Sequence, residues 1–128
     1  MLDEKEEEMK YVLLIHQGEA PTPYKADEWG RLSEEEQQAV YADYQAINQT
    51  PGVTPASAQL APPETATTVQ VQDGRTLTTD GPFVAVKEAL GGWLTFEADD
   101  LDAAIDLASR IPAARMGGAI EVRPVVEY

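Results

Sequence analysis

A chain of 128 residues is long enough for one domain that buries roughly two thirds of the surface its unfolded form exposes. It has no cysteine, which excludes disulfides, thiolate nucleophiles, thiolate zinc sites and cysteine-held iron–sulfur clusters. Its 23 acidic and 9 basic residues leave a formal charge of −14, a field that repels phosphate backbones and argues against direct nucleic-acid binding. No apolar run approaches the roughly 20 residues that span a bilayer, and the acidic N-terminus is unlike a signal peptide, so a cytoplasmic chain with no membrane contact is expected.

Residues 1–8 carry Asp3, Glu4, Glu6, Glu7 and Glu8 against Lys5 and have no apolar periodicity. They read as a flexible, solvated extension ahead of a single domain spanning residues 9–128. From Lys10 to His16 a nearly continuous apolar run has the length and character of a central strand covered on both faces. Residues 17–32, with Pro21, Pro23 and Gly30, form a loop or short turn long enough to act as a lid. Ser33 and Glu36 then make the Ser-x-x-Glu pattern that caps a helix start. A helix over about 34–49 follows, with Val40, Tyr41, Tyr44 and Ile47 on one stripe, and Pro51-Gly52 ends it.

A short strand is expected within 57–60, and Thr67–Gln72 has the β-branched alternation of another. Asp73-Gly74 is a favoured two-residue hairpin turn, so Arg75–Thr79 returns alongside and delivers Asp80 at its end. Gly92–Glu97 reads as a further strand. Asp99–Arg110 reads as a second helix, with Leu101, Ile105 and Ala108 facing inward and Pro112 closing it. Ile120–Val126 is the last strand, placed at a sheet edge or bulge by Pro124. This order is that of a ferredoxin-like α+β sandwich, an antiparallel sheet with two helices on one face and an inserted β-hairpin. The sheet's other face needs cover, which a second subunit supplies most simply, so a homodimer is expected.

The one histidine, His16, stands at the end of the first strand, where an imidazole can move a proton near neutral pH if a carboxylate orients its other nitrogen. Asp80 is the preferred partner, because Gly81-Pro82 bends and stiffens the chain directly after it. Each has a plainer alternative: His16 as a hydrogen-bonded structural residue, and Asp80 as a turn cap. Phe83 reads as core or interface. Lys87 and Glu88 are candidates for a polar pocket or an exposed pair, and Gly91-Gly92 for a close backbone approach or a tight strand entry. Arg115 and Arg123 are candidates for binding an anionic substrate or for neutralising nearby carboxylates. Tyr11, Tyr24, Trp29 and Trp93 are candidate pocket walls. Ser33, Ser57 and Ser109 lack the setting of a serine triad. No metal-ligand spacing, Walker loop or dinucleotide fingerprint occurs, so neither a metal nor a cofactor is expected.

The run Asp80-Gly81-Pro82-Phe83, continued by Lys87-Glu88 and Leu90-Gly91-Gly92, resembles the signature of the DGPF proteins, a subgroup of the YCII-related family. Ile111–Arg115 and Glu121-Val122-Arg123-Pro124 extend the likeness to about residues 9–124. The resemblance implies a dimeric α/β-barrel assembly of ferredoxin-like subunits, with His16 and Asp80 as the histidine and aspartate that have prompted the suggestion of an enzyme. On this reading an unknown small molecule is converted by proton transfer at His16 and Asp80, and Lys87, Glu88 or Arg123 places it. Some members are fused to sigma-factor domains, which implies the alternative of a non-enzymatic ligand- or protein-binding module with a protein partner in transcription initiation.

Overall fold

The computed structural model describes residues 9–22, 26–54, 58–61, 63–82 and 90–126. The acidic extension, Tyr24, Ser57, Phe83, Lys87 and Glu88 lie outside them. Strand β1 (Met9–His16) is hydrogen-bonded antiparallel to β5 (Leu90–Ala98) on one side and to β6 (Ala119–Pro124) on the other. With β2 (Ala58–Gln59) paired to β5, the sheet order is β2-β5-β1-β6. Helices α2 (Glu34–Asn48) and α3 (Leu101–Ser109) fall between the first and second and between the third and fourth of these strands. The fold is therefore α+β and ferredoxin-like. The strand that carries Pro124 is an edge, where its missing N–H costs no ladder bond.

Alternation along β1 sends Tyr11, Leu13 and Ile15 into the core, where they meet Leu94, Phe96 and Ala98 of β5 and Ile47, Ala104 and Leu107 of the helices. Lys10, Val12, Leu14 and His16 occupy the opposite face, beside Trp93 and Thr95, and are only half-buried. The expectation of cover on both faces thus holds within the chain for one face alone.

Helix α2 starts as its sequence predicts. The Ser33 hydroxyl accepts from the Glu36 N–H at 3.0 Å, and the Ser33 N–H donates to Glu36 Oε1 at 2.8 Å, a cap that stabilises by about 1 kcal/mol. Val40 and Ile47 are buried and Tyr44 is half-buried. Tyr41, expected inward, is exposed and meets Trp29 edge-on at 5.6 Å between ring centroids. Trp29 belongs to a short helix, α1 (Ala26–Gly30), inside the segment expected to be loop. Its carbonyl accepts from Gln37 Nε2 at 2.9 Å, which ties α1 to α2.

Helix α3 corrects one expectation. Leu101 and Ile105 are about half exposed, at 49% and 50%, and the buried stripe is Ala104, Leu107 and Ala108. Two overlapping stripes satisfy the same 3.6-residue repeat. Fully buried Ile111 extends the one that wins, and two alanines let the helix lie close to the sheet. Pro112 does not simply close this helix but opens α4 (Pro112–Arg115) at its first position, where no N–H is needed.

The inserted hairpin is β3 (Thr67–Gln72) and β4 (Arg75–Asp80), turning at Asp73 and Gly74 with φ of 52° and 74°, as a type I′ turn requires. It forms a separate two-stranded sheet. Val69, Val71 and Leu77 are exposed on it. No helix among the described residues is long and apolar enough to cross a membrane.

Candidate functional site

The open face of the sheet assembles a polar cluster that depends on strand register. Pairing of β1 with β6 sets His16 opposite Ala119 and Leu14 opposite Glu121, so His16 and Glu121 are diagonal neighbours on one face. His16 Nε2 lies 3.1 Å from Glu121 Oε1, and Arg123 Nε lies 3.8 Å from Glu121 Oε2. Glu121 therefore bridges the imidazole and the guanidinium. The His16 side chain is 26% exposed and that of Glu121 47%, so the pair is accessible yet fixed at the end of a packed strand.

A carboxylate only accepts, so the contact requires the proton on Nε2 and leaves the Nδ1 lone pair as the basic nitrogen. That is the arrangement of a histidine oriented for proton transfer, and Glu121 would stabilise the imidazolium that forms. His16 is at the strand end named from the sequence, and Arg123 joins it through Glu121. The alternation of β6 already set Glu121 and Arg123 on one face, but only the register shows that the face is that of His16.

Asp80 is the last residue of β4, on the hairpin, and its carboxylate makes no hydrogen bond or ion pair among the described residues. The bend after it is held otherwise. The Gly81 N–H donates to the Ala66 carbonyl at 2.7 Å, and the Thr68 hydroxyl donates to the Gly81 carbonyl at 2.7 Å. Gly81 has φ of +98°, a conformation that glycine alone adopts readily. The proposed partners Lys87 and Glu88 lie outside the described residues, in the stretch before Leu90, whose Cα is paired with that of His16. Arg115 takes the neutralising role, with Nη2 at 2.6 Å from Asp43 Oδ2.

The glycine pair enters the strand through a bulge. Ile15 pairs with Gly92 and His16 with Leu90, which leaves Gly91 unpaired. A Cβ on Gly91 would lie 2.2 Å from Gln17 Cγ, so the missing side chain makes room for Gln17. Gln17 is in turn hydrogen-bonded to Tyr44 on α2, at a small cavity on the helix side of the sheet. Burial raises the Tyr44 phenol above its usual 10.0, and the Gln17 hydrogen bond and the Arg115 charge oppose this only in part. The folded state then keeps this proton at pH values where the unfolded chain has lost it. Stability from this group is present below pH 10 and falls as pH rises through the folded value. Urea unfolding between about pH 9 and 11 should show that alkaline decline, and Tyr44→Phe should flatten it.

Among the described residues, no three His, Asp or Glu side chains converge as a metal site would need. No curated protein matches the chain. The model of the YCII-related domain matches residues 9–128, which take in the whole sheet, both packed helices and the His16–Glu121–Arg123 cluster, and the chain belongs to the YCII-related family.

Proposed function

We propose that this chain is a DGPF-type member of its family and converts a small molecule by proton transfer at His16. The contact of His16 Nε2 with Glu121 Oε1 carries the reading, and it gives Glu121 the orienting role that the sequence suggested for Asp80. His16 Nδ1 takes the substrate proton, Glu121 holds the ring, and Arg123 offers positive charge to an anionic substrate. Asp80, Lys87 and Glu88 stand in the sequence just ahead of the strand that pairs with His16, and they remain candidate substrate contacts. The half-buried face that carries the cluster is closed by a second copy, which turns an open surface into a site from which water is excluded.

The test combines assembly and chemistry. Sedimentation at micromolar concentration should give a dimer, and small molecules consumed by the wild type should be consumed 10²- to 10⁴-fold more slowly by His16→Gln. In ¹⁵N spectra of the single histidine, Glu121→Gln should move the Nε2 resonance far more than Asp80→Asn. A monomer, or Nε2 unmoved in folded Glu121→Gln, would overturn the reading.

A second reading, a ligand- or protein-binding regulatory module acting in transcription initiation, is favoured by the hairpin. An isolated two-stranded ribbon is marginal in water, and here Val69 and Val71 are 59% and 66% exposed. Small-molecule consumption that persists unchanged in a Val69→Lys, Val71→Lys double variant would favour the enzyme over the module.

A further inference from the structure

The sheet face that carries the His16–Glu121 pair also carries an indole and two positive charges that the pair does not use. Register sets Trp93 of β5 opposite Leu14 of β1, and Leu14 opposite Glu121 of β6, so these three form one row across the face. The neighbouring row is Thr95, Val12 and Arg123. Val12 and Leu14 are half-buried and make an apolar floor between half-buried Trp93 and the charged strand β6. From β5 to β6 is two strand spacings, about 10 Å, and from Val12 to Leu14 is about 7 Å. That is the footprint of one aromatic ring with a short side chain.

The charges stand at one end of this floor. Arg123 Nε is 3.8 Å from Glu121 Oε2, beyond the roughly 2.7–2.9 Å of a charge-assisted hydrogen bond, and the guanidinium makes no other polar contact among the described residues. Lys10 lies diagonal to Arg123 on the side away from Glu121, within reach of long side chains. Its ammonium makes no ion pair among the described residues, although Glu97 is its Cα partner on β5. Arg115, by contrast, is 2.6 Å from Asp43. In a chain with 23 acidic and 9 basic residues, two neighbouring cations without a close carboxylate favour an anion that comes from outside the chain.

We propose that this face binds a monocyclic aromatic carboxylate, its carboxylate between Arg123 and Lys10 and its ring on Val12 and Leu14 against the indole of Trp93. The proposal rests on the reading of His16 as the proton-transfer group and names the substrate class of that site. Glu121 touches both His16 and Arg123, so a ring anchored at Arg123 turns its far end toward the imidazole. A polyanion such as a phosphate ester meets Glu121 and Glu97 on the same face, and an aliphatic acid lacks the ring that stacks on an indole.

The chain has two tryptophans, so ¹H–¹⁵N spectra hold two indole signals, and Trp93→Phe assigns that of Trp93. Phenylacetate at constant ionic strength should shift it saturably, with a Kd of about 0.05–1 mM, the range open to so few atoms. Phenylacetamide, which has the ring without the charge, and acetate, which has the charge without the ring, should each bind at least about tenfold more weakly. Arg123→Gln, at an exposed position of the edge strand, should weaken phenylacetate at least about tenfold and leave phenylacetamide unchanged. Trp93→Leu, read at the His16 ring signals, should weaken both. Phenylacetate should still bind folded His16→Gln, because the imidazole is not one of its anchors. Such binding together with an Nε2 resonance unmoved by Glu121→Gln would support this ligand class while overturning the proton-transfer reading. No saturable shift below about 20 mM, well above the range set by ligand size, would overturn the ligand class and leave that reading standing. So would equal affinity for phenylacetamide, or undiminished binding of phenylacetate in folded Arg123→Gln.

Discussion

Leu13→Ala is expected to lower stability by about 2–5 kcal/mol, a melting shift of roughly 8–20 °C in a domain of this size. Leu13 is fully buried at the middle of β1, with Leu94 and Val122 as its Cα partners on the flanking strands. Removing three heavy atoms there loses their transfer free energy and leaves a cavity that two hydrogen-bonded neighbours keep from collapsing. Total stability of a single domain is only about 5–15 kcal/mol, so the loss is a large share of it. Denaturant unfolding followed by circular dichroism measures it. A change below about 1 kcal/mol would be too small for a truncation at a fully packed site.

Gly118→Ala is expected to cost about 1–3 kcal/mol and to disturb the His16 site at the same time. An added Cβ would lie 2.3 Å from the His16 carbonyl oxygen and 2.7 Å from that of Gln17, both backbone atoms that cannot rotate away. The end of β1 must therefore move, and the diagonal contact of His16 with Glu121 moves with it. Gly30→Ala is the matched control, since a Cβ there meets nothing within 4 Å, and it should leave stability within about 0.5 kcal/mol. Melting curves and the His16 ring resonances of both variants check this. Equal behaviour of the two would show that the strand end tolerates the extra atom.

Much of the fold was legible because its signals are local. The Ser33–Glu36 capping box, the Asp73-Gly74 turn and the edge position of the Pro124 strand each follow from the chemistry of one to four neighbouring residues. The boundaries moved by a residue or two, as in β5, which begins at Leu90 rather than Gly92. The inward face of α3 was misread because Leu101 and Ile105 fit the same repeat as Ala104 and Leu107, and repeat alone cannot say which stripe meets the sheet.

The sequence by itself determined the order of the strands and of the two main helices, the net negative charge, the cysteine-free chemistry and the position of His16 at a strand end. Only the tertiary structure decided the partners. Glu121 lies 105 positions from His16 and reaches it through the register of β1 with β6, which hydrogen bonds and side-chain alternation on two distant strands set together. Asp80, with the more conspicuous motif around it, belongs instead to a hairpin sheet of its own. A local motif fixes how the backbone turns at a residue, whereas what its side chain meets depends on where the rest of the chain packs.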